Sequence, residues 1–233
     1  MGTSALAGAV VAGLALPAVG GVGLGVKGAA DSFNDLPGDL AVPTLSQASK
    51  IYDADGGVIA TVYSRDRTVV PLAKIAPVMQ NALVDIEDHR FYQHGAIDLQ
   101  GTLRALLKDG ANGGVSQGGS TLTQQYVKNV FIEEAGDSSA AVAEATRQTL
   151  GRKIQELKYA IALEQKLSKQ QILANYLNIT YFGGGAYGVE AASELYFSKH
   201  ADQLSLPEAA LLAGLVQSPS AYDPVQDPAA ALT

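Results

Sequence analysis

The chain has 233 residues, a net charge of −7 and no cysteine. This length suits one main globular unit with appendages. The lack of cysteine excludes thiol catalysis, disulfides and cysteine-based metal centres. The acidic charge balance argues against nucleic acid as a partner, because such binding depends on Lys and Arg neutralising phosphates. Since there are only three histidines, carboxylates are the favoured catalytic groups, and any anionic ligand requires a local basic cluster.

Residues 1–30 are predicted to form a transmembrane anchor. Residues 3–26 carry no charge, and a helix of that length spans the roughly 30 Å hydrocarbon core of a bilayer. Pro17 and several glycines weaken the second half of this helix. The alternative is a secretory signal peptide, which normally begins with a basic segment that is missing here.

Residues 31–70 are predicted to be a linker followed by a β-hairpin. Residues 31–49 are rich in Asp, Pro, Gly and Ser and lack periodicity, as is typical of a linker. β-Branched and aromatic residues then flank an Asp-Gly turn at 53–57, which predicts a short hairpin. A further brief strand is predicted at 68–72. From Ile75 onward the pattern is mostly helical, so the predicted fold class is mainly α.

The first predicted helix, residues 77–87, ends in a pair of carboxylates. Its apolar residues have helical spacing, and Glu87 and Asp88 close it. Two carboxylates at a helix end are commonly only a solvated terminus. Here Phe91 and Tyr92 follow, and a carboxyl group against an apolar wall is suited to proton transfer. Glu87 is therefore a candidate acid or base.

A glycine-rich stretch separates the next two predicted helices. Residues 98–108 are predicted to be helical, whereas residues 109–119 contain five glycines and cannot hold one shape unaided. This stretch is either a lid over a neighbouring site or an ordinary surface connection. Ser120 or Thr121 is the expected N-cap of the helix that follows. A glycine-rich approach to a helix N-terminus suits an anionic ligand.

Residues 140–166 give the clearest helical pattern. The apolar positions of its core face are Leu150, Ile154, Leu157 and Ile161. Arg152, Lys153 and Glu156 share another face, and the simplest interpretation is local ion pairs. With two further cations at positions 147 and 158, the same face is a candidate site for a phosphate or pyrophosphate.

Three shorter helices complete the chain. They are predicted at residues 169–178, capped by Ser168, at residues 189–197, and at residues 206–215, capped by Ser205 with Glu208 at the third position. A turn of glycine and aromatic residues at 181–188 separates the first two. Its aromatic side chains, like Tyr176 before it, are assigned to the core by default.

Taken in order, these segments resemble the family 51 glycosyltransferases, the peptidoglycan glycosyltransferase domain of class A penicillin-binding proteins. The resemblance covers residues 72–224 and rests on five motifs in the family's order. They are residues 87–95, 119–125, 152–156, 172–178 and 182–192, the last extended by Tyr196 and Phe197, and residues 215–219 match the end of the domain.

The resemblance implies a glycosyltransferase domain at residues 71–228. Residues 229–233 are then expected to begin a linker to a C-terminal domain that this sequence does not contain. No serine is followed three residues later by lysine, so the penicillin-reactive motif of a transpeptidase is absent. A fragment of a bifunctional protein is the preferred interpretation, and a naturally monofunctional enzyme is the alternative.

The resemblance also implies a mechanism. The fold is expected to be lysozyme-like and helical, with the small hairpin and the transmembrane helix before it. Glu87 matches a catalytic base that deprotonates the sugar 4-hydroxyl of lipid II. Attack on the anomeric carbon of the growing strand would invert that carbon and release undecaprenyl pyrophosphate. Glu156 matches a second catalytic carboxylate, which helps to hold the pyrophosphate through a divalent cation, Mg²⁺ or Mn²⁺.

Further positions match residues that bind substrate in the family. They are Asp88, Phe91, Ser120, Gln124, Gln125, Lys128, Asn129, Arg152 and Lys153. Asp88 is expected to orient Glu87, the three cations are expected to surround the pyrophosphate, and residues 109–118 match a loop that closes over the substrate. The implied partners are lipid II, the glycan strand, the membrane and other cell-wall synthesis proteins. The catalytic domain is expected on the extracytoplasmic side of the cytoplasmic membrane, behind a single membrane pass.

Two other functions compete with this interpretation. A lysozyme-like hydrolase or lytic transglycosylase shares the expected fold and one catalytic glutamate, but it has no need of a cationic cluster for pyrophosphate. A membrane-anchored scaffold without catalysis has no need of Glu87 and Glu156. The presence of both carboxylates and of the cations therefore favours the glycosyltransferase.

Overall fold

The structure, a computed structural model, describes residue 40 and residues 42–98, 120–147 and 149–229. The predicted anchor at 1–30, the glycine-rich stretch at 109–119 and nearly all of the predicted helix at 98–108 lie outside the described residues. Within the part of the chain that the structure covers, no helix is long and apolar enough to cross a membrane.

The described chain is mainly helical, as predicted. Its helices are α1 Pro77–Glu87, α2 Leu122–Ala135, α3 Ser139–Thr146, α4 Leu150–Lys166, α5 Lys169–Ile179, α6 Val189–Phe197 and α7 Leu206–Gln217. Short 3-10 turns lie at Leu72–Lys74, Phe91–Gln93 and Ala201–Gln203. Helix α2 packs against α3, α4 and α5, and α1 packs against α7. A single hydrophobic core joins these contacts.

The predicted hairpin is confirmed. Strand β1, Ser49–Tyr52, pairs antiparallel with β2, Val58–Val62. The carboxylate of Asp53 closes the turn by accepting hydrogen bonds from the backbone N–H groups of Asp55 and Gly57, at 2.9 and 2.7 Å. Such an Asx turn lets a side chain replace a backbone partner. Gly56 lies in this turn with a φ of 86°, a conformation that glycine adopts without strain.

The strand predicted at 68–72 is wrong. Strand β3 covers only Asp66–Arg67, and it pairs in parallel with β4, Ala186–Tyr187. Beyond it, Val70 donates its N–H to Oδ1 of Asn178 and accepts from Nδ2 of the same side chain, both at 2.9 Å. A buried amide at the end of α5 thus satisfies the two backbone groups that a neighbouring strand would otherwise satisfy.

The single helix predicted at 140–166 is also wrong, because it is divided into α3 and α4. Thr149 has an extended backbone, and its Oγ1 accepts a hydrogen bond from the N–H of Arg152 at 3.3 Å. This is an N-cap, which starts a new helix. The four residues at 146–149 are all polar, and the apolar repeat of Leu150, Ile154, Leu157 and Ile161 begins only after the break, so this repeat belongs to α4 alone.

Two other helix starts follow the prediction. Ser168 and Gln171 form a capping box at the start of α5, and Ser205 and Glu208 form one at the start of α7. Hydrogen bonds from Lys199 and from Ser205 lower the pKa of Glu208 to about 2. The carboxylate of this cap therefore stays ionised over the whole neutral and mildly acidic range.

A group of two arginines and one glutamate joins the small β3/β4 sheet to α2. The guanidinium of Arg67, which is fully buried, donates to both carboxylate oxygens of Glu133 at 2.9 Å, and Arg65 pairs with the same carboxylate. Both guanidinium groups also lie over the ring of Tyr187, 5.1 and 5.3 Å from its centroid. Burial alone would raise the pKa of Glu133, but the hydrogen bonds and charges of Arg67 and Arg65 lower it overall.

We expect Glu133→Gln to lower the free energy of unfolding by about 3–5 kcal/mol at pH 7, because it leaves buried cations unpaired. The ionised carboxylate stabilises the fold fully above its unfolded pKa of 4.5, and this contribution is lost as the pH falls through the lowered pKa of the folded state. The difference between variant and wild type should therefore shrink below pH 4.5. Urea unfolding followed by circular dichroism from pH 7 to pH 3 measures it.

The neighbouring Glu134→Gln is the matched control, since Glu134 is exposed. It should have almost no effect at any of these pH values. A difference between Glu133→Gln and wild type that stays constant down to pH 3 would contradict the assignment of this contribution to the ionised carboxylate.

Candidate active site

Glu87 is the last residue of α1, and its carboxylate meets α2. Its Oε2 accepts a hydrogen bond from Nε2 of Gln125 at 2.8 Å, and the Oε1 of Gln125 accepts one from the hydroxyl of Tyr176 on α5, also at 2.8 Å. Among the described residues this is the single hydrogen bond to the carboxylate of Glu87. One carboxylate oxygen is held by the protein, and the other is left for a ligand.

Tyr176 belongs to the site although its sequence context predicts only a core residue. The residue is indeed buried, with 1% of its surface exposed. A signal was present, because the hydroxyl of a buried tyrosine needs a hydrogen-bond partner. Burial raises the pKa of Tyr176, the charge of Glu87 raises it further, and a hydrogen bond with Thr180 opposes the shift. Tyr176 therefore remains a neutral donor.

Asp88 does not contact Glu87 in the way that the resemblance implies. Its Oδ2 accepts from the backbone N–H of Leu122 at 3.0 Å, and its Oδ1 lies 2.7 Å from Nε2 of His94. The carboxylate is buried. In this structure Asp88 binds a backbone N–H group in the first turn of α2, where such groups lack intrahelical partners. That Asp88 orients Glu87 and binds substrate stays a prediction.

Gln124 is turned inward as well. Its Nε2 donates to the backbone oxygen of Ala96 at 2.9 Å, and the hydroxyl of Thr121 donates to the same oxygen at 3.0 Å. The side chain is buried and bonded within the protein, and its contact with substrate stays a prediction. These bonds hold the chain near residue 96 against the start of α2.

Phe91 is a core residue in this structure. Its ring is 0% exposed, with Tyr92 packed edge-on at 5.1 Å and Nζ of Lys169 at 4.4 Å from its centroid. The ring is enclosed by the protein in this structure, and substrate binding by Phe91 stays a prediction.

A second cluster lies on the first turns of α4. The buried carboxylate of Glu156 accepts from Arg152 at 2.5 Å through Oε1 and from Lys153 at 3.1 Å through Oε2. The predicted local ion pairs are thus formed. Nζ of Lys153 also donates to the hydroxyl of Ser120 at 2.6 Å. This bond connects Lys153 and Ser120, both of which are predicted to bind substrate. Arg147 instead pairs with Glu144 on α3, where both side chains are exposed.

The two remaining predicted residues lie further along α2. Asn129 donates from Nδ2 to the hydroxyl of Thr180 at 3.2 Å. Lys128 is exposed and forms no ion pair with the described residues. The structure thus leaves Lys128 accessible to a ligand, while Asn129 is tied to the end of α5.

The described residues do not form a ready cation site at Glu156, because each of its oxygens already accepts a hydrogen bond from a cation. Within the described ranges, the one group of three acidic or histidine side chains with close ligand atoms is Glu190, Glu194 and His200. It does not include Glu156. The donor set therefore does not fit a resident metal ion at the predicted position.

The site combines a carboxylate with one open oxygen and a second carboxylate surrounded by cations, on a helical domain. The family model described as transglycosylase matches residues 55–233, and the chain belongs to this family.

Its relatives are penicillin-binding proteins. The chain is 42% identical to penicillin-binding protein 1A of Aquifex aeolicus over 81% of its own length and 24% of that protein. It is 42% identical to penicillin-binding protein 1A of Streptococcus oralis, covering 81% of this chain and 29% of that one. It is 43% identical to penicillin-binding protein 2D of Bacillus subtilis, covering 77% of this chain and 24% of that one. The chain thus spans about a quarter of the length of these curated relatives.

We expect Asp88→Ala to lower the free energy of unfolding by about 1–3 kcal/mol, because the N–H of Leu122 would be left buried without a partner. Thermal or urea unfolding measures the change. Asp85→Ala is the control, since Asp85 is exposed on the same helix, and it should change the stability by less than about 0.5 kcal/mol. Equal effects of the two substitutions would contradict a capping role for Asp88.

Proposed function

We propose that this chain is a peptidoglycan glycosyltransferase that polymerises lipid II into glycan strands. The observation that carries the proposal is the state of Glu87: Gln125 holds one of its oxygens and no described residue binds the other. Membership of the transglycosylase family supports the same reaction class. The lysozyme-like arrangement of the helices expected from the sequence is part of this proposal.

In the proposed reaction, Glu87 acts as a general base. Its open oxygen takes the proton of the 4-hydroxyl of the incoming lipid II as that hydroxyl attacks the anomeric carbon of the growing strand. The bond from this carbon to the undecaprenyl pyrophosphate breaks at the same time. A single attack of this kind inverts the anomeric carbon and needs no covalent intermediate with the enzyme.

The leaving pyrophosphate is assigned to the cluster on α4. Arg152 and Lys153 are positioned there by Glu156, and charge-assisted hydrogen bonds from such cations stabilise phosphate oxygens as negative charge develops on them. Lys128, exposed on α2, adds a further cation. In this proposal Glu156 acts by holding the two cations in place.

The proposal includes a divalent cation, Mg²⁺ or Mn²⁺, only as an ion bound to the substrate and not to the protein. Binding of a cation to Glu156 would have to displace Arg152 or Lys153 from its carboxylate. No step of the proposed mechanism uses the cation, because these residues alone do not offer it a site.

The proposal also covers the location and partners of the chain. Lipid II is a membrane lipid, so the domain is proposed to work at the outer face of the cytoplasmic membrane, behind a single-pass anchor at residues 1–30. Cooperation with other cell-wall synthesis proteins belongs to the same proposal. A lytic transglycosylase or hydrolase is the nearest alternative, and the cations around Glu156 favour the glycosyltransferase because a hydrolase has no pyrophosphate to bind.

We expect Glu87→Gln to lower the rate of polymerisation at least about 100-fold, because the general base is removed while the shape is kept. Gel separation of glycan chains made from labelled lipid II measures the product. Asp85→Asn, an exposed carboxylate two residues earlier on the same helix, should keep wild-type activity. Substantial turnover by a folded Glu87→Gln protein would refute the assignment of the base, and shortening of preformed glycan by the wild type would favour a hydrolase.

We expect Lys153→Ala to lower kcat/KM for lipid II by about 10- to 100-fold, as befits the loss of hydrogen bonds to a charged group. Steady-state kinetics with labelled lipid II measures this effect. Lys166→Ala, at the exposed end of the same helix, is the control and should leave the kinetics close to those of the wild type. Unchanged kinetics in Lys153→Ala would contradict the assignment of the pyrophosphate to this cluster.

A further inference from the structure

We propose that Tyr176 is a positioning residue for Glu87, which it controls through the side-chain amide of Gln125. This inference rests on the proposed function. It is carried by two hydrogen bonds in series, from the hydroxyl of Tyr176 to Oε1 of Gln125 and from Nε2 of Gln125 to Oε2 of Glu87, each 2.8 Å long.

The amide of a glutamine has a donor end and an acceptor end, and a half-turn exchanges them. Only one orientation gives Glu87 a donor, because the other would turn the amide oxygen toward the carboxylate. The ionised carboxylate of Glu87 can only accept and therefore favours this orientation, and the hydroxyl of Tyr176 reinforces it by donating to Oε1. The amide nitrogen is thereby directed at Glu87.

Tyr176 is well suited to this task because it is fixed and stays protonated. Its ring is packed in the hydrophobic core formed in part by α2 and α5, so the hydroxyl is held in one place. Burial and the charge of Glu87 both raise the pKa of Tyr176. The hydroxyl therefore remains a donor throughout the pH range in which a carboxylate base operates.

The oriented amide has two effects on Glu87. It occupies Oε2, so Oε1 is the oxygen that receives the proton. It also supplies the carboxylate with a hydrogen-bond donor. The charge of Glu87 acts on Tyr176. Asp88, the next residue along the chain, is paired with His94, and the hydrogen bond that the described residues give to the Glu87 carboxylate comes from the amide of Gln125.

Tyr176→Phe in the full chain tests this inference through the rates of lipid II polymerisation between pH 4.5 and 9. We expect kcat to fall by about threefold to tenfold, the effect of losing one hydrogen bond, with little change in KM. We also expect the acidic limb of the pH–kcat profile to move to higher pH, because the ionised carboxylate loses its donor. A role in folding alone would leave that limb in place.

Gln125→Leu provides a second, independent variant, since Gln125 is only partly buried and its replacement should preserve the fold. It should move the acidic limb in the same direction and at least as far. Adding Tyr176→Phe to Gln125→Leu should cause no further movement, because Tyr176 acts through the amide. If the shifts of the acidic limb in the two single variants add up in the double variant, the proposal that Tyr176 acts through Gln125 is overturned.

Tyr126→Phe is the matched control. Tyr126 is also a buried tyrosine between α2 and α5: burial raises its pKa to about 12, opposed by a hydrogen bond with Asn175. Tyr126→Phe removes a hydroxyl of the same kind that has no contact with Gln125, so it should lower the melting temperature without moving the acidic limb. Equal movements in the two tyrosine variants would assign Tyr176 a structural role only.

The test separates this inference from the function on which it rests. Polymer from the wild type, together with an unchanged kcat and acidic limb in a folded Tyr176→Phe protein, would overturn the inference alone. Absence of polymer from the wild type would overturn the proposed function and the inference together.

Discussion

Helix α2 packs against three other helices, and a polar side chain on such a helix must find its hydrogen-bond partner within the protein. Gln124, Gln125, Asn129 and Glu133 of α2 all do so. Their partners are Ala96, Glu87 with Tyr176, Thr180, and Arg67 with Arg65, respectively. Each pair attaches a different segment to α2. These hydrogen bonds fix the end of α1, the end of α5 and the β3 strand relative to α2. They form because a buried polar group of the central helix needs a partner.

The sequence was sufficient where local signals agreed. Helix α1 has the predicted bounds and α5 to within one residue at its end, because helical periodicity and start or stop signals coincide there. It was insufficient where a distant group decided the outcome. The segment at 68–72 is not a strand because Asn178, more than a hundred residues away, binds the backbone of Val70. The break between α3 and α4 has a local cause, the Thr149 cap, and the apolar repeat that suggested one long helix lies within α4 alone.

A similar distinction applies to the site. The clustering of Arg152, Lys153 and Glu156 could be predicted, since it depends on spacing along one helix. Whether Asp88 and Gln124 face a ligand or the interior depends on how α2 meets the chain before it, and no local pattern encodes that. A family motif therefore marks residues that are needed without separating those that contact substrate from those that hold the contact residues in place.

The two hydrogen bonds to Ala96 have a consequence for how this domain can vary. They are donated by Thr121 and Gln124, and the Leu122 N–H binds Asp88, so both ends of the stretch between residues 96 and 121 are fastened by groups outside that stretch. Each of these three bonds has a backbone group at one end, so the attachment of residue 96 and of α1 to the start of α2 can vary only through the side chains of Asp88, Thr121 and Gln124. A related chain that replaces one of these three side chains gives up part of the attachment, whatever stands at the positions of Ala96 and Leu122.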